Sequence, residues 1–151
     1  SLLVSTLNNE RIITAGFAVG VLEGVLEVAV DYLNHREAFG RTIGHFQALQ
    51  HYIADIRAWR AQSELLALYA ARMQSASKDC GVEATMAKLV SAEYANKAAD
   101  LGIQMLGGLG YAMETDMQRY WRDSRIFRIA PITTELAKNM IAQSCGLPRS
   151  Y

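Results

Sequence analysis

Arg36-Glu37-Ala38-Phe39-Gly40-Arg41-Thr42-Ile43-Gly44-His45-Phe46-Gln47 packs cations, glycines and aromatics into one short connection between two long helical patterns. Gly40 and Gly44 tolerate the backbone angles of a reversal, and Phe39 and Phe46 can pin the turn to the core. On these grounds alone the stretch is a helix–helix turn. The patterns on either side of it decide the fold.

Upstream, Ile12, Ala15, Val19, Leu22, Leu26, Ala29 and Leu33 recur at spacings of three and four, which predicts a helix from Asn8 to His35. Glu23, Glu27 and Asp31 follow another face at four-residue spacing. Like charges placed so repel slightly, so that face is expected to meet solvent or a basic partner. Downstream, Phe46, Leu49, Ile53, Ile56, Ser63, Leu66, Tyr69 and Met73 mark a helix from about Gly44 or His45 to Met73. Trp59 and Leu65 widen its stripe, and Arg57, Arg60 and Arg72 lie on the other side.

Ser75 to Gly81 is small and polar and reads as a loop. A third helix follows over Val82–Leu106, with Met86, Val90, Tyr94, Ala98, Leu101 and Met105 on one stripe. Gly107-Gly108-Leu109-Gly110 ends it, as glycine does past a helix C-terminus. A shorter helix is expected over Thr115–Arg125, then a loop at Ala130-Pro131-Ile132-Thr133, because proline disfavours helix before it. The last helix, Thr134 to Ser144, stops at Gly146 with Pro148 behind it. No stretch alternates convincingly as a strand. The expected fold is all-α: an up-and-down helical bundle of three long antiparallel helices and a returning C-terminal helix.

At 151 residues the chain is one domain by length, and an apolar fraction of 51% excludes disorder. Lys+Arg and Asp+Glu are both 15, so nothing points to nucleic acid or an anionic membrane. No uncharged apolar run reaches membrane-spanning length, and the start lacks the pattern of a signal peptide. Cys80 and Cys145 form no disulfide framework, so a cytoplasmic protein is expected, or a mitochondrial-matrix one in a eukaryote. The chain begins without methionine, which suggests a fragment or a processed product. His35, His45 and His51 share no ligand spacing, so no metal site is expected. No G-x-S-x-G nucleophile motif occurs. The glycines at 107–110 follow a helix, whereas a dinucleotide fingerprint follows a strand.

Three motifs carry a resemblance that covers essentially the whole chain. Arg36 to Gln47 fits R-x-x-F-G-x-x-I-x-x-F-Q. Gln104 to Tyr111 fits Q-x-x-G-G-x-G-Y, and Tyr120 to Ile126 is similar to Y-x-R-D-x-x-I. Together they resemble the C-terminal domain of the acyl-CoA dehydrogenases, in the family's order and spacing. The resemblance implies FAD as cofactor, an acyl-CoA substrate and an electron-transfer flavoprotein as electron acceptor. It implies a homo-oligomer, expected as a dimer of dimers, because the family's R-x-x-F-G turn reaches the FAD of a neighbouring protomer. It also implies an N-terminal helical domain and a central β-domain that this chain lacks, so residues 1–151 are expected to be the C-terminal bundle of a larger enzyme. The alternative is a helical assembly domain without chemistry of its own.

Residue by residue, Arg36 matches a contact to the FAD pyrophosphate, a task that suits the planar donors of a guanidinium. Ala38, Phe46 and Gln47 match further cofactor contacts. Gln104 through Gly108 match a segment whose backbone lies on the nucleotide, with a side chain at Gly107 or Gly108 expected to hold it away. Thr133, Thr134 and Glu135 match the cofactor-contacting end of the loop before the last helix. Many members carry their catalytic base as the Glu of a Y-E-G-T loop, and Pro131 stands at that position here. A subset, including isovaleryl-CoA and long-chain acyl-CoA dehydrogenases, takes the base from the first helix of this domain. Asn8-Asn9-Glu10-Arg11 is the matching tetrapeptide and makes Glu10 the expected base. Asn8, Asn9, Arg11 and Ile132 match substrate-pocket positions, and Glu135 is the other carboxylate near the loop.

Overall fold

A computed structural model describes residues 2–150, with side chains from Thr6 onward. Among them are six α-helices: α1 (Leu2–His35), α2 (Gln47–Ser75), α3 (Gly81–Leu106), α4 (Gly108–Tyr111), α5 (Met117–Ile126) and α6 (Thr134–Ser144). The all-α bundle is as expected from periodicity. α1 begins six residues ahead of the expected Asn8, because Leu2, Leu3 and Val4 continue a helix-compatible apolar run.

α1, α2 and α3 run up, down and up. Asn8 near the start of α1 meets Cys80 just before α3, and Tyr32 near its end lines one depression with Leu106 at the end of α3. The core lies between these helices and α5, around Leu22, Val25, Ile56, Met105 and Met117. Over Thr6–His35, α1 is long and apolar enough to cross a membrane by length and composition; in the bundle Leu22, Val25 and Leu26 of that span are buried.

The faces differ from the expected stripes in detail. On α3 the expected Ala98 and Met105 are buried, but the other buried positions are Ala84, Thr85, Ala87, Lys88, Ser91, Ala92, Ala95, Ala99, Gly102 and Leu106, while Met86, Val90, Tyr94 and Leu101 are half-buried. α3 packs against α1, α2, α5 and α6 at once, and small side chains let four helices come close. A Cβ at Gly102 would collide with the Met117 side chain of α5. On α2 the buried line shifts from Ile56 to Ser63, Ala67 and Ala70, leaving the expected Leu65 and Tyr69 exposed. Glu23 has its basic partner inside the chain, pairing with Arg60 of α2, while Glu27 and Asp31 stay in solvent.

The turn after α1 holds the one sheet among the described residues, a hairpin of β1 (Glu37–Ala38) and β2 (Arg41–Thr42). Its central residues, Phe39 at φ 56° and Gly40 at φ 79°, suit the mirror-image turn that matches strand twist. Two-residue strands are too short for alternation to show in sequence. A 3-10 turn over Ile43–His45 then leads into α2. α3 ends on Gly107 at φ 63°, where glycine carries no Cβ penalty. The glycine run does not stay irregular, since Gly108–Tyr111 closes one more helical turn. α6 starts on the Thr133 cap, whose hydroxyl accepts from the Leu136 amide at 3.2 Å.

Candidate functional site

The residues singled out from the sequence gather at the two ends of the bundle. Asn8, Asn9, Glu10, Arg11, Ile132, Thr133 and Glu135 lie where α1 and α3 begin. Arg36, Ala38, Phe46, Gln47, Gln104, Gly107 and Gly108 lie where α1 and α3 end. Along α1, Glu10 is roughly 38 Å from the helix end at His35.

At the first end, Glu10 lines an open depression with Ile13, Thr14, Ile126, Phe127, Ala130 and Pro131. Glu10 is exposed, and it is the one ionisable side chain among these lining residues. Helical geometry divides the tetrapeptide around it. Asn8 and Arg11 turn inward, each only 6% exposed, and the Arg11 guanidinium donates to Asn8 Oδ1 at 3.0 Å and to Met140 sulfur at 3.8 Å. Burial lowers the Arg11 pKa. Asn9 faces out and accepts from Gln74 at 2.5 Å. Asn8 and Arg11 therefore brace the helix interior, and neither lines the depression.

The loop facing Glu10 is tied from behind by α3. Lys88, fully buried, donates from Nζ to the Ile132 carbonyl at 2.5 Å. Glu93 accepts from Arg128 Nε at 2.8 Å and from the Thr134 hydroxyl at 2.9 Å. Burial, the largest cause, lowers the Lys88 pKa to about 8, against the opposing pull of Glu93 and Glu135 and with the help of Arg11 and Arg128. Thr134 and the Ile132 side chain are thus interior, while Thr133 and Glu135 are exposed at the start of α6. The helix-start backbone amide of Glu135 holds its carboxyl below the usual range, with smaller help from Thr133, Lys138 and Arg128. Sequence reasoning missed Lys88, Glu93 and Arg128. The available signal was a lysine inside the alanine-and-serine face of α3.

At the other end the side chains are open. Phe39, at the hairpin tip, is 93% exposed although its φ is positive. A bulky residue held there stores strain, as functional segments do. Phe39 meets Phe46 edge-on at 6.1 Å, and the Arg41 guanidinium lies 4.7 Å over the Phe46 ring. Phe46 is half-buried, so one ring is both packed and partly open to solvent. Arg36 is exposed and makes no ion pair among the described residues, and Gln47 and Gln104 are exposed too. A Cβ at Gly107 or Gly108 would meet nothing within 4 Å in this chain. At Gly108, where φ is not positive, nothing within the chain requires glycine, which fits a surface approached by another molecule.

Residues 1–146 match the family described as "Acyl-CoA dehydrogenase, C-terminal domain". The chain belongs to this family. FadE12 of Mycobacterium tuberculosis, an acyl-CoA dehydrogenase, is 38% identical over 152 residues, covering 99% of this chain and 39% of that protein. Acryloyl-CoA reductase (NADH) of Anaerotignum propionicum is 34% identical over 140 residues, 93% of this chain and 36% of its own length. The solved FAD complex of PigA superposes with a TM-score of 0.84 at 29% identity, covering 88% of this chain and 35% of PigA. The chain therefore spans less than two fifths of each of these relatives. FAD is a cofactor within the family, and the open donors and bare glycines at the hairpin end fit a nucleotide cofactor.

Proposed function

We propose that this chain is the C-terminal domain of an FAD-dependent acyl-CoA dehydrogenase in which Glu10 is the general base. One observation carries the reading: Glu10 and Pro131 line the same depression. The position that holds a glutamate in many members is a proline here, and a carboxylate from α1 faces it across the gap. Proline cannot take a proton; Glu10 can.

In this reading the acyl thioester lies along Ile13, Ile126 and Phe127, whose exposed edges an acyl chain would cover. Glu10 removes the α-proton to a carboxylate oxygen, and the apolar walls exclude water from that transfer. When bound, FAD supplies the acceptor for the β-hydride, and the product is the trans-2-enoyl thioester. An electron-transfer flavoprotein then takes the electrons. In the reductive direction, which acryloyl-CoA reductase is named for, protonated Glu10 would return the same proton.

The separation of the two ends supports assembly. Roughly 38 Å of helix lies between Glu10 and the hairpin, more than one dinucleotide bridges. Glu10 and Arg36 of one chain would then serve different flavins, as in a dimer of dimers. Arg36, Phe46 and Gln47, with Gln104 to Gly108, would approach the neighbour's cofactor, and Thr133 and Glu135 that of their own chain. A purely structural assembly domain is the competing reading.

The test is Glu10→Gln in the full-length protein, which keeps size and hydrogen bonding but removes basicity. Rapid mixing with acyl-CoA should show flavin bleaching slowed at least ~100-fold, with FAD and acyl-CoA still bound. Near-normal bleaching in Glu10→Gln, with loss in Glu135→Gln, would move the base to Glu135. A wild-type protein that converts none of a panel of acyl-CoAs would favour the assembly domain.

A further inference from the structure

We propose that Lys88 is the positioning residue for the wall opposite Glu10, holding the Ala130–Thr133 loop through the carbonyl of Ile132. What the wall is positioned for rests on the function proposed above; the tether itself does not.

A lysine is almost never fully buried without a partner. Lys88 is the largest fully buried side chain among the described residues. The charged groups around it are Arg11 of α1, Glu93 of α3 itself, Arg128 after α5 and Glu135 of α6. None of them forms an ion pair with it, for Glu93 is committed to Arg128 and Thr134, and Arg11 to Asn8 and Met140. Its amine donates to a backbone oxygen, that of Ile132. Stability alone does not account for such a residue, because an apolar side chain of similar volume is often as good in a buried charged position.

The loop explains it. Pro131 has no N–H; the Ala130 amide bonds the Ile126 carbonyl and the Thr134 amide the Arg128 carbonyl, and between them Lys88 supplies a side-chain donor to the Ile132 carbonyl. The Ile132 side chain is buried as well, and a buried carbonyl left unpaired is costly. Lys88 reaches that oxygen from α3, the helix with the broadest packing in the bundle. Five residues on, Glu93 ties Arg128 and Thr134, on either side of the loop. Two side chains of one helix thus add to the loop's own backbone bonds in fixing where Ala130 and Pro131 stand, and these two residues line the depression with Glu10. The amine can donate this bond protonated or neutral, so the pKa of about 8 leaves the tether in place.

The test uses full-length holoprotein with Lys88→Met, which keeps the length of the chain but cannot donate. FAD content should match wild type and the melting temperature fall only slightly, since losing the bond to the Ile132 carbonyl is partly offset by removing a buried amine. Amide hydrogen exchange in the 129–134 segment should become faster by about tenfold, as a loss of 1.4 kcal/mol would give. Flavin reduction by acyl-CoA should slow by a similar ~10-fold factor, with substrate affinity little changed. A folded Lys88→Met that reduces flavin at the wild-type rate overturns the proposal. Should the wild-type protein accept no acyl-CoA at all, loop exchange decides alone: faster exchange upholds the tether while the reaction assigned to the site falls, and unchanged exchange overturns the tether. If neither Lys88→Met nor Lys88→Gln yields folded protein, the lysine serves folding and the proposal fails.

Discussion

At the Glu10 end of the bundle the polar groups are folded into the chain, whereas at the hairpin end they are left outside it. Behind Glu10, Arg11 bonds Asn8, Lys88 bonds the Ile132 carbonyl, and Glu93 bonds Arg128 and Thr134. Arg36, Phe39, Gln47 and Gln104 project outward, and Phe39 does so from a strained backbone. One chain completes the first region; in the proposed assembly the second meets another molecule. The bonds of Lys88 and Glu93 hold the backbone of the loop that faces Glu10, while Glu10 itself stays exposed. A surface that meets another molecule keeps its donors free until that molecule arrives.

Substitutions should therefore separate the ends, and the largest effect belongs to Glu10→Gln, with flavin reduction at least ~100-fold slower and the fold intact. Glu93→Ala comes next. It strips two bonds from the loop and leaves the Arg128 guanidinium without its carboxylate, so thermal or urea unfolding should register a loss of roughly 2 kcal/mol. An unchanged midpoint would mean that these bonds contribute nothing to folding and would break the contrast.

Arg36→Ala should do the reverse. Its side chain is exposed and unpaired within the described residues, so the melting temperature and helical circular dichroism stay at wild type. FAD retention in the full-length oligomer should weaken by about tenfold, near 1.4 kcal/mol, as measured by flavin content after dialysis. Full retention would remove the cofactor role of this arginine.

The smallest effect is at Glu135. The helix-start amide holds its carboxyl below the ordinary range, so the folded state favours the ionised form. That contribution is present above the unfolded carboxylate pKa and is lost as pH falls through the lower folded value. Glu135→Gln should melt slightly below wild type at pH 7, and the gap should close on acidification. A gap that widens at low pH would reverse the sign. Glu135 is fully solvent-accessible, so the shift is expected to be small.

The sequence revealed more of the outline than of the interior. Threefold and fourfold spacing located the long helices, and Gly107, Pro131 and Gly146 punctuated them as expected. The hairpin motif led to the open end, and Pro131 drew attention to Glu10. The misread faces were those of α2 and α3. Large apolar residues dominate a periodicity argument, yet Leu65 and Tyr69 are exposed while alanines and a lysine fill the face of α3.

By itself the sequence determined the all-α class, the order of the long helices, the family and its three motifs. Those properties depend on local spacing and on short strings of residues. Tertiary structure decided that Glu10 and Pro131 face one depression, that Asn8 and Arg11 turn away from it, and that Lys88 stands behind the loop. Each depends on helices far apart in sequence meeting at one distance and one rotation. Turning a helix by a single residue, about 100°, would exchange Glu10 for Arg11 at the depression, and the packing of α1 against α2, α3 and α5 fixes that angle.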